Sequence, residues 1–426
     1  MLVRNAALSD GRRRDVRVTD GRVEAVATGL TGRGDERVRD ADGRLLLPGA
    51  VDAHVHFREP GFSHKETWAT GSRSAAAGGV TTVVDQPNTD PPTTTGAAFD
   101  RKARLAGASV VDYGLNGGVT PDWEPGSLLD RPLCALGEVF LADSTGDMGV
   151  ETATFRDALE RAAARDVLVT VHAEDASLFD QGARERSDAD AWSAFRTPEA
   201  EVAAVERALE LAEVVGARLH VAHTSTPEAV DLVADTRHTC EATPHHLLLD
   251  RSDLDDLGTF GRMNPPLRSP DRRARLYDRL VDGTVDAVAT DHAPHARAEK
   301  DADVWSAPSG VPGVETMVPL LLARARDPDD PLSVERVREA TAEEPAELLN
   351  LPGKGRVETG ADADLALYET ETRPVRGARL HSRCGWTPFE GDSAVFPSLT
   401  LLRGEIAYER GDTARFGPAR GRNVRR

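Results

Sequence analysis

Between residues 49 and 350, short apolar runs alternate with longer stretches whose apolar positions recur at helical spacing. The runs are VDAHVHF (51–57), VTTVVDQPN (80–88), VVDYGLNGGV (110–119), LCALGEVF (133–140), VLVTVHAED (167–175), RLHVAHTS (218–225), HTCEATPHH (238–246) and DAVATDHAP (286–294). Amphipathic helical patterns such as 198–216 and 333–350 lie between or after them. Eight strand–helix units predict a TIM-type (β/α)8 barrel more readily than an open sheet. The two ends have another texture. Residues 1–48 hold short apolar runs separated by turns, and Asp20–Gly21 between DVRVT and RVEAV is a hairpin signal. The same texture returns after residue 353 in GRVETGADADLALYE and LTLLRGEIAYERG. Neither end is long enough to fold alone. The expectation is an α/β chain with one small β-sheet domain built from 1–48 and 353–426, beside a barrel spanning 49–352. No internal repeat or low-complexity linker interrupts it.

Eight of the twelve histidines fall near the C-terminal ends of the predicted barrel strands: His54, His56, His172, His223, His245, His246, His292 and His295. In a barrel that face carries the active site. A lone histidine at a strand end is usually a capped or solvated side chain, but eight converging on one mouth need another explanation. His54 and His56 are the sharpest pair. Period-2 alternation puts both on one face of the first strand, with Asp52 one step nearer the barrel floor. Joined by His172, His223 and Asp291 from the fifth, sixth and eighth strands, they form an imidazole and carboxylate set without thiolate. That set suits catalytic zinc, with cobalt or manganese as substitutes.

The formal net charge is -19, spread along the chain without an acidic tail, which argues against nucleic acid or an anionic membrane as partner. Only Lys65, Lys102, Lys300 and Lys354 are lysines, and the remaining 48 of the 52 basic residues are arginine. An acidic, lysine-poor composition resembles proteins of salt-loving archaea, in which salt screens self-repulsion. A GC-rich genome is the blander explanation. Cys134, Cys240 and Cys384 are odd in number and far apart, and read as reduced thiols. No apolar run is long enough for a membrane span, and the N-terminus lacks a signal-peptide core, so a cytoplasmic protein is expected.

Four longer motifs occur in order: PGAVDAHVHFREPG (48–61), GGVTTVVDQPNT (78–89), MNPPLR (263–268) and TDHAPH (290–295). With GADADLAL near the C-terminus they make the chain resemble the dihydroorotases of the amidohydrolase superfamily over nearly its whole length. The resemblance implies reversible ring closure of carbamoyl-aspartate to dihydroorotate in pyrimidine synthesis, with zinc, two ions per chain or one. It implies that His54 and His56 hold one metal and that His172 and His223 hold a second. Asp291 would bind metal and shuttle the proton. His56, Arg58, Asn88, Asn264 and His295 fall at substrate-binding positions, and the backbone at Pro312–Gly313 resembles the loop that contacts the pyrimidine ring. The chemistry fits these residue types. Metal ions acidify water and polarise the amide carbonyl, a carboxylate moves the proton, and an arginine fork holds the substrate carboxylate. A blander role for Arg58 is an ion pair with Glu59 or Glu66, and Asn88 and Asn264 are in turn-like settings that favour Asn for local reasons. His245 and His246 stay unassigned. A homo-oligomer is compatible with the sequence and not specified by it.

One departure is evident. Many relatives carry on the fourth strand a lysine whose carbamate bridges two metals; here Glu138 occupies that position in ALGEVFLADSTG. Glutamate keeps the charge but is shorter by roughly 3–4 Å. Either the metals sit nearer this strand, the backbone differs there, or one metal binds. Strand alternation would point Glu138 inward with Leu136 and Phe140; Asp143 is the alternative ligand. Allantoinases and hydantoinases are the rival enzymes, and the cationic Arg58 separates them, because it suits a free substrate carboxylate. A non-catalytic scaffold would be expected to lose metal ligands, and none of the five is lost.

Overall fold

The computed structural model describes residues 1–141 and 148–425. Its centre is a barrel of eight parallel strands, β1 (Ala50–Val55), β2 (Val80–Asp85), β3 (Asp112–Leu115), β4 (Ala135–Leu141), β5 (Leu168–Ala173), β6 (Leu219–Val221), β7 (Thr239–Ala242) and β8 (Ala287–Val288). Ladders join β1 to β3 and β4 to β8. Single parallel bridges close the remaining gaps, Gly117 with Leu136 and Val55 with His292. Each predicted run therefore contains a strand, in the predicted order.

Helices cover the outside, and their starts are written in the sequence. Thr197, Thr226 and Ser269 each cap a helix whose first residue is proline (Pro198–Val215, Pro227–Ala234 and Pro270–Val281). The hydroxyl accepts an otherwise unpaired amide, and proline's fixed φ suits the first helical position. The predicted helix at 333–350 is one rod with an irregular centre: Val334–Arg338 and Glu344–Leu348 flank a π turn at Glu339–Glu343.

The two termini build one sheet. Leu2–Ala7, Arg13–Thr19, Arg22–Ala27, Val38–Asp40 and Leu45–Pro48 join Leu365–Tyr368, Pro397–Leu402, Glu405–Glu409 and Arg415–Phe416. The seam is the antiparallel pair Leu45–Pro48 with Leu365–Tyr368. The hairpin at Asp20–Gly21 has positive φ at both residues, 50° and 78°, as a tight two-residue turn requires. Alternation divides the seam strands between two cores. Leu46, Leu365 and Leu367 face a small cluster with Val16, Val18 and Val23. Leu45, Leu47, Ala366 and Tyr368 face the barrel's own cluster. Both faces are buried, which is why RLLLP and LALY read as continuous apolar runs. Buried Lys354 ties the units together, 2.7 Å from Asp112 on β3 and 2.5 Å from Asp364 beside the seam.

Two details correct the sequence reading. The seventh run ends early. Thr243 caps a helical turn at Pro244–Leu248, so His245 and His246 sit on that helix and not on the strand. On β4, Leu136 pairs with Val169 and Val139 with Val171, leaving an extra residue at Gly137–Glu138. That bulge breaks the alternation, so Leu136 shares a face with Val139, while Glu138 and Phe140 line the barrel mouth. Cys134, Cys240 and Cys384 are buried and unbridged. Among the described residues no helix is long and apolar enough to cross a membrane.

Candidate metal centre and active site

The C-terminal ends of β1, β4, β5, β6 and β8 bring His54, His56, Glu138, His172, His223 and Asp291 to one mouth. The Nε2 atom of His56 lies 2.8 Å from Asp291 Oδ1, and that of His54 3.6 Å from the same oxygen. Glu138 lies opposite. Its Oε1 is 2.5 Å from His223 Nε2 and 3.2 Å from His172 Nδ1, and its Oε2 is 3.4 Å from His54 Nε2. Two ligand groups result, His54–His56–Asp291 and His54–Glu138–His223, with His54 common to both. His223 and Asp291 take positive φ, 35° and 43°, and Arg58 takes 65°. Non-glycine residues rarely adopt this region, and such strain gathers where side chains must be aimed.

The outer ring nitrogens are held in turn. Glu241 on β7 accepts from His54 Nδ1 at 2.7 Å and from His220 Nε2 at 3.1 Å. Glu174 lies 3.0 Å from His172 Nε2 and is bound by Arg196 at 2.5 Å. Asn88 Oδ1 contacts His56 Nδ1 at 2.7 Å. Such partners fix the ring orientation and direct the other nitrogen inward. Sequence reasoning missed Glu174 and Glu241. The period-2 logic that singled out His54 and His56 applies equally to His172 and Glu174, and Glu241 is an acid inside a buried strand.

Burial by itself would raise the Glu138 carboxyl, but His223, His54 and His172 hold it well below the usual range. His172 is pushed up to about 9: burial opposes this, and Glu138 and Glu174 outweigh it. Burial raises Asp52, which accepts from the Thr290 hydroxyl at 2.6 Å on the barrel floor, to about 6. So many buried carboxylates need compensating positive charge, which Arg196 supplies only to Glu174. His54 Nε2, fully buried, has no hydrogen-bond partner among the described residues. An orphaned imidazole nitrogen between two carboxylates, with no thiolate nearby, fits a zinc-type ligand set.

The substrate side of the cleft is formed by Arg58, Asn88, Asn264, Ala293, Ser309 and Gly310. Arg58 is buried, 3.2 Å from His295 Nε2, and makes no ion pair with Glu59 or Glu66. Those acids are engaged elsewhere, Glu59 by Ser63 and the Trp68 amide and Glu66 by Ser382 and Thr70. Burial pulls the Arg58 guanidinium down to about 10, so an anionic partner is favoured. Asn264 Oδ1 accepts from Trp192 Nε1 at 3.0 Å. The loop lines the cleft through Ser309–Gly310. A Cβ on Gly310, at φ 127°, would lie 2.7 Å from Ala293. Pro312 and Gly313 lie behind, with the Gly313 amide donating to His292 Nδ1 at 3.1 Å. Asp143 lies outside the described residues.

A barrel whose mouth joins histidines and carboxylates into paired ligand groups defines a metal-dependent hydrolase of the amidohydrolase type. The amidohydrolase family profile matches residues 45–404. A dihydroorotase of Halobacterium salinarum is 62% identical over 100% of this chain and 99% of its own. One of Methanosarcina acetivorans is 43% identical, over 96% of this chain and 91% of its own. Among solved structures, the L-hydantoinase (dihydropyrimidinase) of Arthrobacter aurescens superposes with TM-score 0.93 at 30% identity, covering 99% of this chain and 98% of that one. The chain belongs to the amidohydrolase family, and within it to the dihydroorotases. It is a cyclic amidohydrolase; the hydantoinase likeness is one of architecture, at half the identity.

Proposed function

We propose that the chain catalyses the reversible ring closure of N-carbamoyl-L-aspartate to (S)-dihydroorotate in pyrimidine synthesis, in the cytoplasm of a halophilic archaeon. The observation that carries this reading is buried Arg58, in the cleft wall beside His295 and without an ion-pair partner among the described residues. A substrate with a free carboxylate fills that need, and a neutral hydantoin or allantoin does not. The proposed metal is zinc, two ions per chain, which His54, His56, His172, His223, Asp291 and Glu138 would hold. When bound, zinc acidifies a water and polarises the amide carbonyl. Asp291 takes the water's proton at its carboxylate and hands it to the ring nitrogen. Arg58, Asn88, Asn264 and His295 orient the substrate, with the backbone of Ser309–Gly310 beside the ring. The division into 1–48 with 353–426, and 49–352, is part of the same reading; it follows the seam at Leu45–Pro48. Turnover assays on dihydroorotate, allantoin and hydantoin test the function: preference for either of the last two overturns it.

Arg58→Met is expected to raise KM for dihydroorotate at least tenfold while metal content stays at the wild-type level. A charge-assisted hydrogen bond contributes about 1.5–3 kcal/mol, and tenfold corresponds to about 1.4. An unchanged KM would make Arg58 a structural residue of the rim.

The halophilic reading predicts that the melting temperature rises from low to molar potassium chloride. The cause is screening of the -19 net charge, the Debye length falling to about 3 Å at 1 M. A flat melting temperature across that range refutes it.

A further inference from the structure

Beside the catalytic cleft is a second cavity of about 470 Å³, and Asn264 and Ser309 are walls of both. Its size falls within the range of small-molecule sites. The lining joins three arginines, Arg184, Arg196 and Arg262, to aromatic rings. The Arg262 guanidinium lies 3.7 Å from the Trp192 ring centre, and that of Arg184 4.6 Å from Phe195 and 5.3 Å from Trp305. Arg196 is neutralised by Glu174. The other two are different: among the described residues neither Arg184 nor Arg262 forms an ion pair. Arg262 bonds a backbone carbonyl, that of Ala307, and its Nε is buried without a hydrogen-bond partner. Asp303, whose charge acts on Arg262, is held by the Trp305 and Ser306 amides and makes no ion pair with it, and the other nearby acids are paired elsewhere. Asp188 pairs with Arg186, Asp190 with Arg186 and Arg251, and Asp175 with Arg207. A chain of net charge -19 thus keeps two unmatched guanidinium groups at the threshold of its active site. Burial pulls Arg262 down to about 10, an environment that an incoming anion relieves.

We propose that this chamber is a docking site for the open-chain dicarboxylate, with Arg184 and Arg262 holding one of its carboxylates at contact distance before it reaches the catalytic cleft. The proposal rests on the dihydroorotase reading, in which the open-chain form carries two carboxylates and the ring form one. The cleft offers a buried arginine for only one of them, Arg58. Contact, and not long-range steering, is required, because at molar salt a charge is felt over only about 3 Å. The aromatic walls hold the guanidinium planes in place, so that little side-chain entropy is lost when the anion arrives.

The test measures kcat/KM for carbamoyl-aspartate and dihydroorotate with the metal-loaded protein, at 0.5 M and 3 M potassium chloride. The variants are Arg184→Gln, Arg184→Gln with Arg262→Gln, and Arg186→Gln as a control of equal charge from an ion pair outside the chamber. Arg184→Gln should lower kcat/KM about threefold and the double variant about tenfold or more, at both salt concentrations, with Arg186→Gln unaffected. The loss must be equal in both directions, because the ratio of the two kcat/KM values is the reaction's equilibrium constant. A melting curve accompanies each variant. If the double variant is destabilised, Arg184→Gln alone decides, since that side chain is exposed and bonds no backbone among the described residues. A wild type that turns over neither compound overturns the functional reading. An active wild type matched within twofold by both chamber variants overturns the docking site alone. An equal loss in Arg186→Gln, or one confined to 0.5 M salt, reduces the arginines to a general field and also overturns it.

Discussion

Asp291→Asn is expected to fold normally and to lose at least 99% of its dihydroorotate turnover, since general acid–base catalysis is typically worth about 100-fold or more. The fold should survive because Asp291 takes φ 43°, a conformation that asparagine tolerates as readily as aspartate. The carboxylate is buried, 2.8 Å from His56 Nε2, and is held ionised there: burial opposes this, and the surrounding histidines outweigh it. The amide keeps the shape and loses the proton-carrying function. Hydrolysis rate, a circular-dichroism melt and metal content should be measured together. Retention of more than about a tenth of the wild-type rate removes Asp291 from the proton path. A rate lost in parallel with metal makes it a ligand first, whereas a rate lost with metal retained isolates the proton role.

The elements legible in the sequence are those set by local rules. The strand runs, the Thr-Pro and Ser-Pro helix starts and the Asp20–Gly21 turn depend on neighbouring residues, and they appear where the pattern puts them. His54 and His56 both reach the site although the β1–β2 register shifts by one residue between Asp52 and Val55. What escaped depends on contacts distant in sequence. Glu241 meets His54 across 187 residues, and nothing in HTCEATPHH announces that partner. The β8 ladder stops at Ala287–Val288, where its partner β7 gives way to the helical turn capped by Thr243. Pairing register is invisible in one strand, so the bulge at Gly137–Glu138, which moves Leu136 off the face of Glu138, emerges only against β5.

That bulge bears on the loss expected to reach the metal centre itself. Glu138→Gln should lower the occupancy of at least one metal, and activity should depend on the Glu138 carboxylate and not on carbon dioxide or bicarbonate. A glutamate falls roughly 3–4 Å short of a carbamylated lysine. Here the extra residue in β4 accompanies a carboxylate already 2.5 Å from His223 Nε2 and 3.2 Å from His172 Nδ1. Among the described residues no lysine competes for the place, since Lys102 is buried against Asp85 at 2.6 Å and Lys354 against Asp112 and Asp364. With two divalent ions, Asp291 as the only anionic ligand leaves the site strongly positive, and Glu138 removes one unit of that charge. Glutamine keeps the volume and gives up the charge and one good ligand oxygen, and ligand charge governs affinity at such sites. Metal per chain, measured by plasma spectrometry, is the readout, with Asp143→Asn as the matched control. If Asp143→Asn loses metal while Glu138→Gln keeps a full complement, Asp143 is the bridging ligand. If neither loses metal, neither carboxylate is a ligand and a single-metal site is the better account. If Glu138→Gln alone loses metal, and added bicarbonate leaves the wild-type rate unchanged, a fixed carboxylate from the chain does here what a carbamate does in relatives that carry the lysine.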